Sequence, residues 1–153
     1  PDETVNLASL TREILAMLAP SAVEKNIELE LDAQKKMPNI SGNATALSIL
    51  IRNLVDNAIR YSQEDSRVSV RIFQKNSTVT IEIEDNGPGI PEELRSRVFE
   101  RFYRVIGNAS PGSGLGLAIV QQICELHGGI IQLDTASDGK GLLVRVELPI
   151  KSA

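Results

Sequence analysis

Amide and guanidinium side chains recur on one side of a predicted helix over residues 44–62. At about 100° per residue, Asn53, Asn57 and Arg60 lie within roughly 60° of one another, and Tyr61 lies on the same flank. An amide oxygen is a hard neutral ligand that suits Mg²⁺ already held by phosphates and water, and a guanidinium can meet phosphate oxygens. The alternative interpretation is a polar rim that solvates the edge of the apolar stripe.

A second group of candidate residues is the segment Asp85-Asn-Gly-Pro-Gly-Ile90. Asp85 closes a run of alternating strand residues, so its carboxylate stands where strand becomes loop and can accept a hydrogen bond from an exocyclic amine. Gly87 and Gly89 carry no Cβ atom, which lets a flat ring approach the backbone. An ordinary Asn-Gly turn is the alternative interpretation of the same residues.

The third group is Gly112-Ser-Gly-Leu-Gly-Leu117, which leads into a predicted helix. Glycines before a helix N-terminus expose backbone N–H groups, and the helix dipole favours an anion there, so the segment can cradle phosphate. The spacing is GxGxG after a loop, which is not the dinucleotide-binding fingerprint, and the sequence contains no GxxxxGK[ST] P-loop. Alone, this pattern specifies no ligand.

Hydrophobic periodicity predicts the helices that position these groups. Apolar residues at helical spacing predict helices over residues 7–25, about 44–62 and about 115–126, and a further short helix begins at Pro91. Asn6 and Asn43 are expected to cap the first two helices, and Pro20 predicts a break or kink in the first.

Alternating apolar residues predict the strands. They occupy 27–31, 68–72, 79–83, 130–135 and 142–148, with a turn at 75–77 and a closing hairpin around 138–139. The element order is therefore α-β-α-β-β-α-α-β-β. It predicts an α/β two-layer sandwich, with helices on one face of a mixed, largely antiparallel sheet.

Composition limits the class of protein. The 153 residues suit a single domain over 1–153, and 42% hydrophobic with 24% charged residues excludes a disordered chain. The formal charge of −4, from 20 acidic and 16 basic residues, argues against binding to nucleic acid and against direct contact with an anionic membrane. The sequence begins at Pro1 rather than Met, which favours a piece of a longer protein.

The chain has one cysteine and one histidine. Cys124 alone excludes an internal disulfide and a cysteine-based zinc cluster, and it is expected to be a small buried apolar residue on a helix. His127 ends the same helix in a His-Gly-Gly turn and is expected to be structural, in contact with the helix C-terminus.

The order of the motifs resembles the ATP-binding catalytic domain of bacterial sensor histidine kinases, in the family shared with gyrase, Hsp90 and MutL. Residues 53–61 look like its N box, 85–90 like its G1 box, 99–104 like its F box and 112–117 like its G2 box. Residues 5–32 resemble the segment that follows the dimerisation helices, and the ending Asn-Ala-x-Arg-Tyr favours the histidine kinase branch. The resemblance implies a Bergerat-type ATP-binding fold.

The resemblance also implies roles for single residues. Asp85 would bind the adenine amino group, and Asn57, assisted by Asn53, would hold Mg²⁺. Residues 104–113 would form an ATP lid, with Phe99 and Phe102 packed at its base; plain core packing is the alternative for these two phenylalanines. The implied ATP-binding residues are Asn53, Asn57, Arg60, Tyr61, Asp85, Gly87, Gly89, Ile90, Phe102, Arg104, Gly112, Ser113, Gly114, Leu115, Gly116 and Leu117.

Two departures from the family pattern affect these assignments. No Lys or Arg follows Arg104 within the lid, where relatives often place a basic residue. Leu142 follows Gly141 where Thr or Ser is usual, so Gly139 and Gly141 are not assigned as a third glycine box that binds the ligand.

The resemblance implies a protein histidine kinase domain that binds Mg-ATP and delivers the γ-phosphoryl group to a histidine on a separate dimerisation domain. His127 does not lie in a phosphoacceptor motif, so no catalytic residue is assigned and the chain alone should not autophosphorylate. The implied partners are that dimerisation domain and, indirectly, a response regulator; the isolated domain is expected to be a cytoplasmic monomer whose parent is anchored in the bacterial inner membrane. The alternatives are an ATP-switched interaction module without phosphotransfer and a degenerate domain that binds no nucleotide.

Overall fold

A computed structural model describes residues 3–86, 115–136 and 141–150. Three helices and seven strands lie within these ranges. In chain order they are β1 (Glu3–Val5), α1 (Leu7–Glu24), β2 (Glu28–Ala33), β3 (Ile40–Gly42), α2 (Ala44–Tyr61), β4 (Arg67–Lys75), β5 (Thr78–Asp85), α3 (Leu115–Leu126), β6 (Ile130–Thr135) and β7 (Leu142–Pro149).

Five of the strands form one sheet in the order β2-β4-β5-β7-β6. The β2–β4 pair is parallel and the other three pairs are antiparallel. Together with the helices on one face, this confirms the predicted two-layer sandwich with a mixed, largely antiparallel sheet. The helix predicted to begin at Pro91 and the hairpin tip at 138–139 lie outside the described residues.

Two short strands were missing from the sequence prediction. β1 and β3 pair with each other in a separate antiparallel ladder, in which Val5 lies opposite Ile40. Each has three residues, which is too short for an alternating pattern to show. Because the pairing is antiparallel, the start of α2 lies beside Glu3, whose Oε1 accepts from the backbone N–H of Ala44 at 3.2 Å.

The core is aliphatic and lies between the sheet and the helices. The apolar stripe of α2 is buried, from Leu47 to Ile59, and it packs over the alternate β5 residues Val79, Ile81 and Ile83. Full burial of such a side chain contributes about 1.5–3 kcal/mol to folding. Among the described helices, none is both long and apolar enough to cross a membrane.

Of the break or kink expected at Pro20, the break is wrong, because α1 continues through Pro20 to Glu24. Proline removes the hydrogen bond that its N–H would donate to the carbonyl four residues earlier. That carbonyl belongs to Ala16, and both residues are exposed. Water can therefore satisfy the carbonyl, and the helix is not interrupted.

In the part of the chain that the structure describes, the opposite face of the sheet carries charged side chains. Glu82 on β5 accepts from Arg71 on β4 at 2.9 Å and from Arg145 on β7 at 2.7 Å. These residues lie directly opposite one another in the strand register. Glu82 is only 7% exposed, so its carboxylate has little contact with water. The two guanidinium groups supply the hydrogen-bond donors that water would otherwise provide.

His127 links the end of α3 to the start of α2. Its Nδ1 lies 2.8 Å from the carbonyl oxygen of Ile123, which can only accept, so Nδ1 carries the proton. Its Nε2 accepts from the backbone N–H of Asn43, the N-cap of α2, at 3.1 Å. The ring is buried, so the structural role expected for the only histidine is confirmed.

Cys124 lies on the buried side of α3. Burial, assisted by the nearby charge of Glu125, raises the pKa of its thiol to about 11. The thiol therefore stays protonated at neutral pH and behaves as the small apolar core residue that the sequence predicts.

Candidate functional site

A carboxylate ends the row of core residues on β5. Strand alternation turns Val79, Ile81 and Ile83 toward the helices, and Asp85 is the next residue on that face. Its side chain is buried at 7% exposure, and its Oδ1 accepts from the backbone N–H of Leu142 on β7 at 3.4 Å. The strand period therefore places an acid where a core side chain would otherwise lie.

The last two turns of α2 present polar groups to the same region. Leu54, Asn57, Ala58 and Tyr61 follow the spacing i, i+3, i+4, i+7, which is one face of a helix. Leu54 and Ala58 are buried, whereas Asn57 and Tyr61 are partly exposed. The helix thus continues its core-facing side into an amide and a phenol.

Asn57 and Asp85 face one cavity between α2 and β5. Its volume is about 40 Å³. That is well below the ~300–1,000 Å³ of a complete small-molecule site. The described residues that line it are Leu54, Asn57, Ala58, Tyr61, Ile83, Asp85, Leu117, Leu142 and Val144. The described residues therefore form one part of a site, with the acid on the sheet and the amide on the helix.

Asp85 also borders a second hollow, of about 210 Å³, at the end of the sheet. The other residues around this hollow include Arg67, Ser69 and Asn86. The carboxylate therefore lies where the space beneath α2 meets the open end of the sheet.

Two of the predicted α2 residues do not line the smaller cavity. Arg60 is partly exposed, and its Nε donates to Asp56 Oδ2 at 2.9 Å, one turn earlier on the helix. Asn53 is partly exposed and is absent from the described walls of that cavity. The Asp56–Arg60 pair could have been predicted from the sequence, since oppositely charged residues four apart on a helix lie next to each other.

The glycine-rich segment is described only where it enters α3. Leu115 and Gly116 begin that helix, and Leu117 lines the cavity. The remaining predicted site residues lie outside the described residues: Gly87, Gly89, Ile90, Phe102, Arg104, Gly112, Ser113 and Gly114, with Phe99 and the segment 104–113.

Gly141 packs directly against the backbone of Asp85. The sequence analysis did not predict this contact. A Cβ atom built on Gly141 would overlap the carbonyl oxygen of Asp85 and lie 2.8 Å from the Cα of Asn86. The backbone of Asp85 can therefore occupy its position only if residue 141 has no side chain. Gly141, which the sequence left unassigned, is therefore a packing contact for Asp85.

The donor set limits what kind of cation this region could hold. No group of three or more His, Cys, Asp or Glu side chains suited to a metal occurs within residues 3–86, 115–136 and 141–150. The amide oxygen of Asn57 is a ligand that suits Mg²⁺ together with oxygens of water or of a phosphate.

Residues 42–152 match the family described as histidine kinase-, DNA gyrase B-, and HSP90-like ATPase. The chain belongs to this ATPase family. It is 41% identical over 146 residues to the sensor protein kinase PmrB of Pseudomonas aeruginosa, a match that covers 95% of this chain and 30% of PmrB. The chain thus spans about a third of the length of that curated relative.

Solved structures of sensor histidine kinases share this fold. The mycobacterial sensor histidine kinase MprB gives a TM-score of 0.87 at 33% identity, with 100% of both chains covered. Full-length ShkA in complex with AMPPNP gives a TM-score of 0.87 at 27% identity, with 99% of this chain and 32% of ShkA covered. These similarities confirm the resemblance to the ATP-binding catalytic domain of sensor histidine kinases.

Gly141→Ala should destabilise the chain, because the added methyl group displaces the backbone of Asp85. Overpacking of this kind costs about 1–3 kcal/mol of unfolding free energy. Urea unfolding followed by circular dichroism measures the loss. Gln132→Ala, at an exposed position of the same hairpin, is the control and should change the unfolding free energy by less than about 0.5 kcal/mol. Equal stability of the two variants would contradict the packing role of Gly141.

Proposed function

We propose that this chain binds Mg-ATP in the cleft between β5 and α2, with the adenine toward Asp85 and the phosphates toward the end of α2. The observation that carries the proposal is that Asp85 and Asn57, on different layers of the fold, line one cavity. ShkA, which shares the fold, was solved with AMPPNP, and that nucleotide analogue supports ATP as the ligand here.

The carboxylate of Asp85 would select adenine over guanine by its hydrogen-bonding character. An ionised carboxylate only accepts, so it pairs with the exocyclic amine of adenine and opposes the carbonyl oxygen that guanine presents at the same ring position. The apolar walls from Ile83, Leu117 and Val144 suit the faces of a flat ring. Gly87, Gly89 and Ile90, next in the chain, are proposed to lie beside that ring.

The residues on α2 fit a magnesium–phosphate group. The amide oxygen of Asn57, assisted by Asn53, would hold the ion. The described residues offer it no cluster of acidic ligands. Bound Mg²⁺ would offset part of the negative charge of the phosphates. Arg60 would exchange its exposed pairing with Asp56 for a phosphate oxygen. The remaining residues proposed to bind ATP are Tyr61, Phe102, Arg104, Gly112, Ser113, Gly114, Leu115, Gly116 and Leu117, among which Gly114 and Gly116 would give backbone contacts to the phosphates.

The proposed reaction is transfer of the γ-phosphoryl group to a histidine of the dimerisation domain. A neutral imidazole nitrogen attacks the γ-phosphorus in line, the bond to the bridging oxygen breaks, and ADP leaves with that oxygen. This chain positions ATP and supplies no covalent intermediate. In the whole protein the phosphoryl group passes on to a response regulator. We propose that the domain works in the cytoplasm, as part of a parent anchored in the inner membrane.

Residues 1–153 are proposed to be one catalytic domain. The family match begins at residue 42, yet β2 precedes it and pairs with β4 inside the main sheet. The helix α1 also contributes Ile14 and Leu18 to the common core. This pairing and this packing support the assignment of the segment before the match to the same domain.

Phosphotransfer is tested by mixing the chain with Mg²⁺, γ-labelled ATP and a dimerisation fragment that carries the phosphoacceptor histidine. Label should appear on the fragment, and not on a fragment whose histidine is replaced by alanine. Tight ATP binding without transfer would favour the ATP-switched interaction module instead.

Asp85→Asn should weaken ATP binding by about 10–100-fold, because a hydrogen bond to a charged group contributes about 1.5–3 kcal/mol and an amide cannot reproduce the carboxylate as acceptor. Titration calorimetry measures the affinity. Asp32→Asn, the control, removes the same charge from an exposed position on β2 and should leave the ATP affinity unchanged. An unaltered ATP affinity in Asp85→Asn would remove Asp85 from the binding site.

Asn57→Ala should lower the affinity for ATP in the presence of Mg²⁺ by about tenfold or more, in the range found when a metal site loses a supporting group. The affinity in EDTA should hardly change, and the circular dichroism spectrum should remain that of the parent. Asn39→Ala, at an exposed position, is the matched control. If the parent binds ATP equally well with and without Mg²⁺, the role assigned to Asn57 is wrong.

A further inference from the structure

The side chain of Lys25 reaches from the end of α1 to the end of α2. Its Nζ donates to the carbonyl oxygens of Ile59 at 3.0 Å, Arg60 at 3.0 Å and Ser62 at 2.7 Å. An ammonium group has three N–H donors and no acceptor. All three donors of Lys25 are therefore matched by carbonyls of one short segment.

These carbonyls belong to a helix terminus that needs donors. The last four carbonyls of an α-helix have no partner within the helix, and the helix dipole makes this end negative. At the end of α2 the carbonyl of Ala58 accepts from the backbone N–H of Ser62 at 3.0 Å and from its hydroxyl at 2.6 Å. Lys25 supplies the donors for the next two carbonyls and a positive charge beside them.

The backbone around Lys25 is fixed to the same region of the fold. Its N–H donates to the carbonyl of Ala22 in α1 at 3.1 Å, and its own carbonyl accepts from the N–H of Asp65 at 3.1 Å. The N–H of Glu28 donates to the carbonyl of Ser66 at 3.0 Å. The connection from α1 to β2 is thus hydrogen-bonded to the connection from α2 to β4, and the ammonium projects from a fixed base.

We propose that Lys25 is a positioning residue for the nucleotide site, in that it sets the orientation of the last turn of α2 against β5. This inference rests on the proposed function. Arg60, whose carbonyl accepts from Lys25, is adjacent to Tyr61 and one turn beyond Asn57. A rotation of that turn moves both cavity-lining side chains relative to Asp85 on the sheet. Lys25 itself touches no ligand in this proposal.

A purely stabilising cap and a positioning residue predict different effects on ligand binding. Loss of a cap lowers the unfolding free energy and leaves the ligand affinities of the folded chain in their original ratio. Loss of a positioning group moves the magnesium-binding amide on α2 and leaves the adenine-binding acid on β5 in place. The ratio between ATP affinity with Mg²⁺ and ATP affinity in EDTA therefore separates the two.

Lys25→Met keeps the length of the side chain and removes its charge and donors. Titration calorimetry on the folded chain should show affinity for Mg-ATP reduced about tenfold, since groups that orient metal ligands change metal affinity by about 10–100-fold. The affinity for ATP in EDTA should change less than about threefold, so the ratio falls. Lys25→Arg, which keeps the charge and several donors, should restore most of the ratio.

Lys36→Met is the matched control, because it removes a lysine charge from an exposed position, and its ratio should equal that of the parent. If Lys25→Met does not fold, Lys25→Gln retains two donors and should show a smaller drop in the same direction. Binding of Mg-ATP by the parent with an unchanged ratio in the Lys25 variants overturns the positioning role alone. A parent that binds no Mg-ATP overturns the positioning role and the proposed function together.

Discussion

The arrangement of the site depends on one buried carboxylate, that of Asp85. It occupies a core-facing position at the end of β5, where an unpaired charge would be costly. The N–H of Leu142 donates to it, and the absence of a side chain at Gly141 lets its backbone lie against β7. A carboxylate has about four lone-pair sites, so it can accept from an entering amine and from the N–H of Leu142 at the same time. The sheet therefore fixes the position of the Asp85 carboxylate before any ligand binds.

The helix opposite the acid is held at both ends by side chains from other elements. At its start, the N–H of Asn43 donates to His127 at the end of α3, and the ring packs so closely on Gly42 that a Cβ there would lie 2.8 Å from it. At its end, Lys25 donates to the terminal carbonyls. Because α1 and α3 each fix one end of α2, the distance from Asn57 to the sheet is determined by the packed helix layer.

Much of the fold could be predicted from the sequence, because local periodicity specifies which face of each element is buried. The stripe of α2 and the alternation on β5 identified the core, and the same alternation identified Asp85 as an acid at the end of a strand. Pro20 misled the prediction, since a missing hydrogen bond disturbs a helix little where its carbonyl faces water. The strands β1 and β3 were missed because a three-residue strand is defined by its partner.

The supporting residues of the site were not predictable for a related reason. Gly141 and Lys25 act through contacts with backbone atoms far away in the sequence, and backbone contacts leave no pattern in residue types. A glycine in a turn and a lysine after a helix each have ordinary local explanations. Asn57 and Asp85 could be proposed from sequence because their motifs resemble a family, whereas the groups that orient them require the packed structure.

The separation of the acid from the amide explains how a chain with a formal charge of −4 can bind an anion. In the proposed complex, the carboxylate of Asp85 meets the base, which is the uncharged end of ATP. The phosphates meet neutral amides on α2, and the carboxylate of Asp56 on the same helix is paired with Arg60 at 2.9 Å. An i, i+4 ion pair on a helix surface contributes only about 0.3–0.5 kcal/mol, so the pairing with Asp56 opposes a contact of Arg60 with a phosphate only weakly. The carboxylate of Asp56 would then remain in contact with solvent, since its side chain is 31% exposed. The bound Mg²⁺, held by amides and phosphates, would neutralise the rest of the phosphate charge.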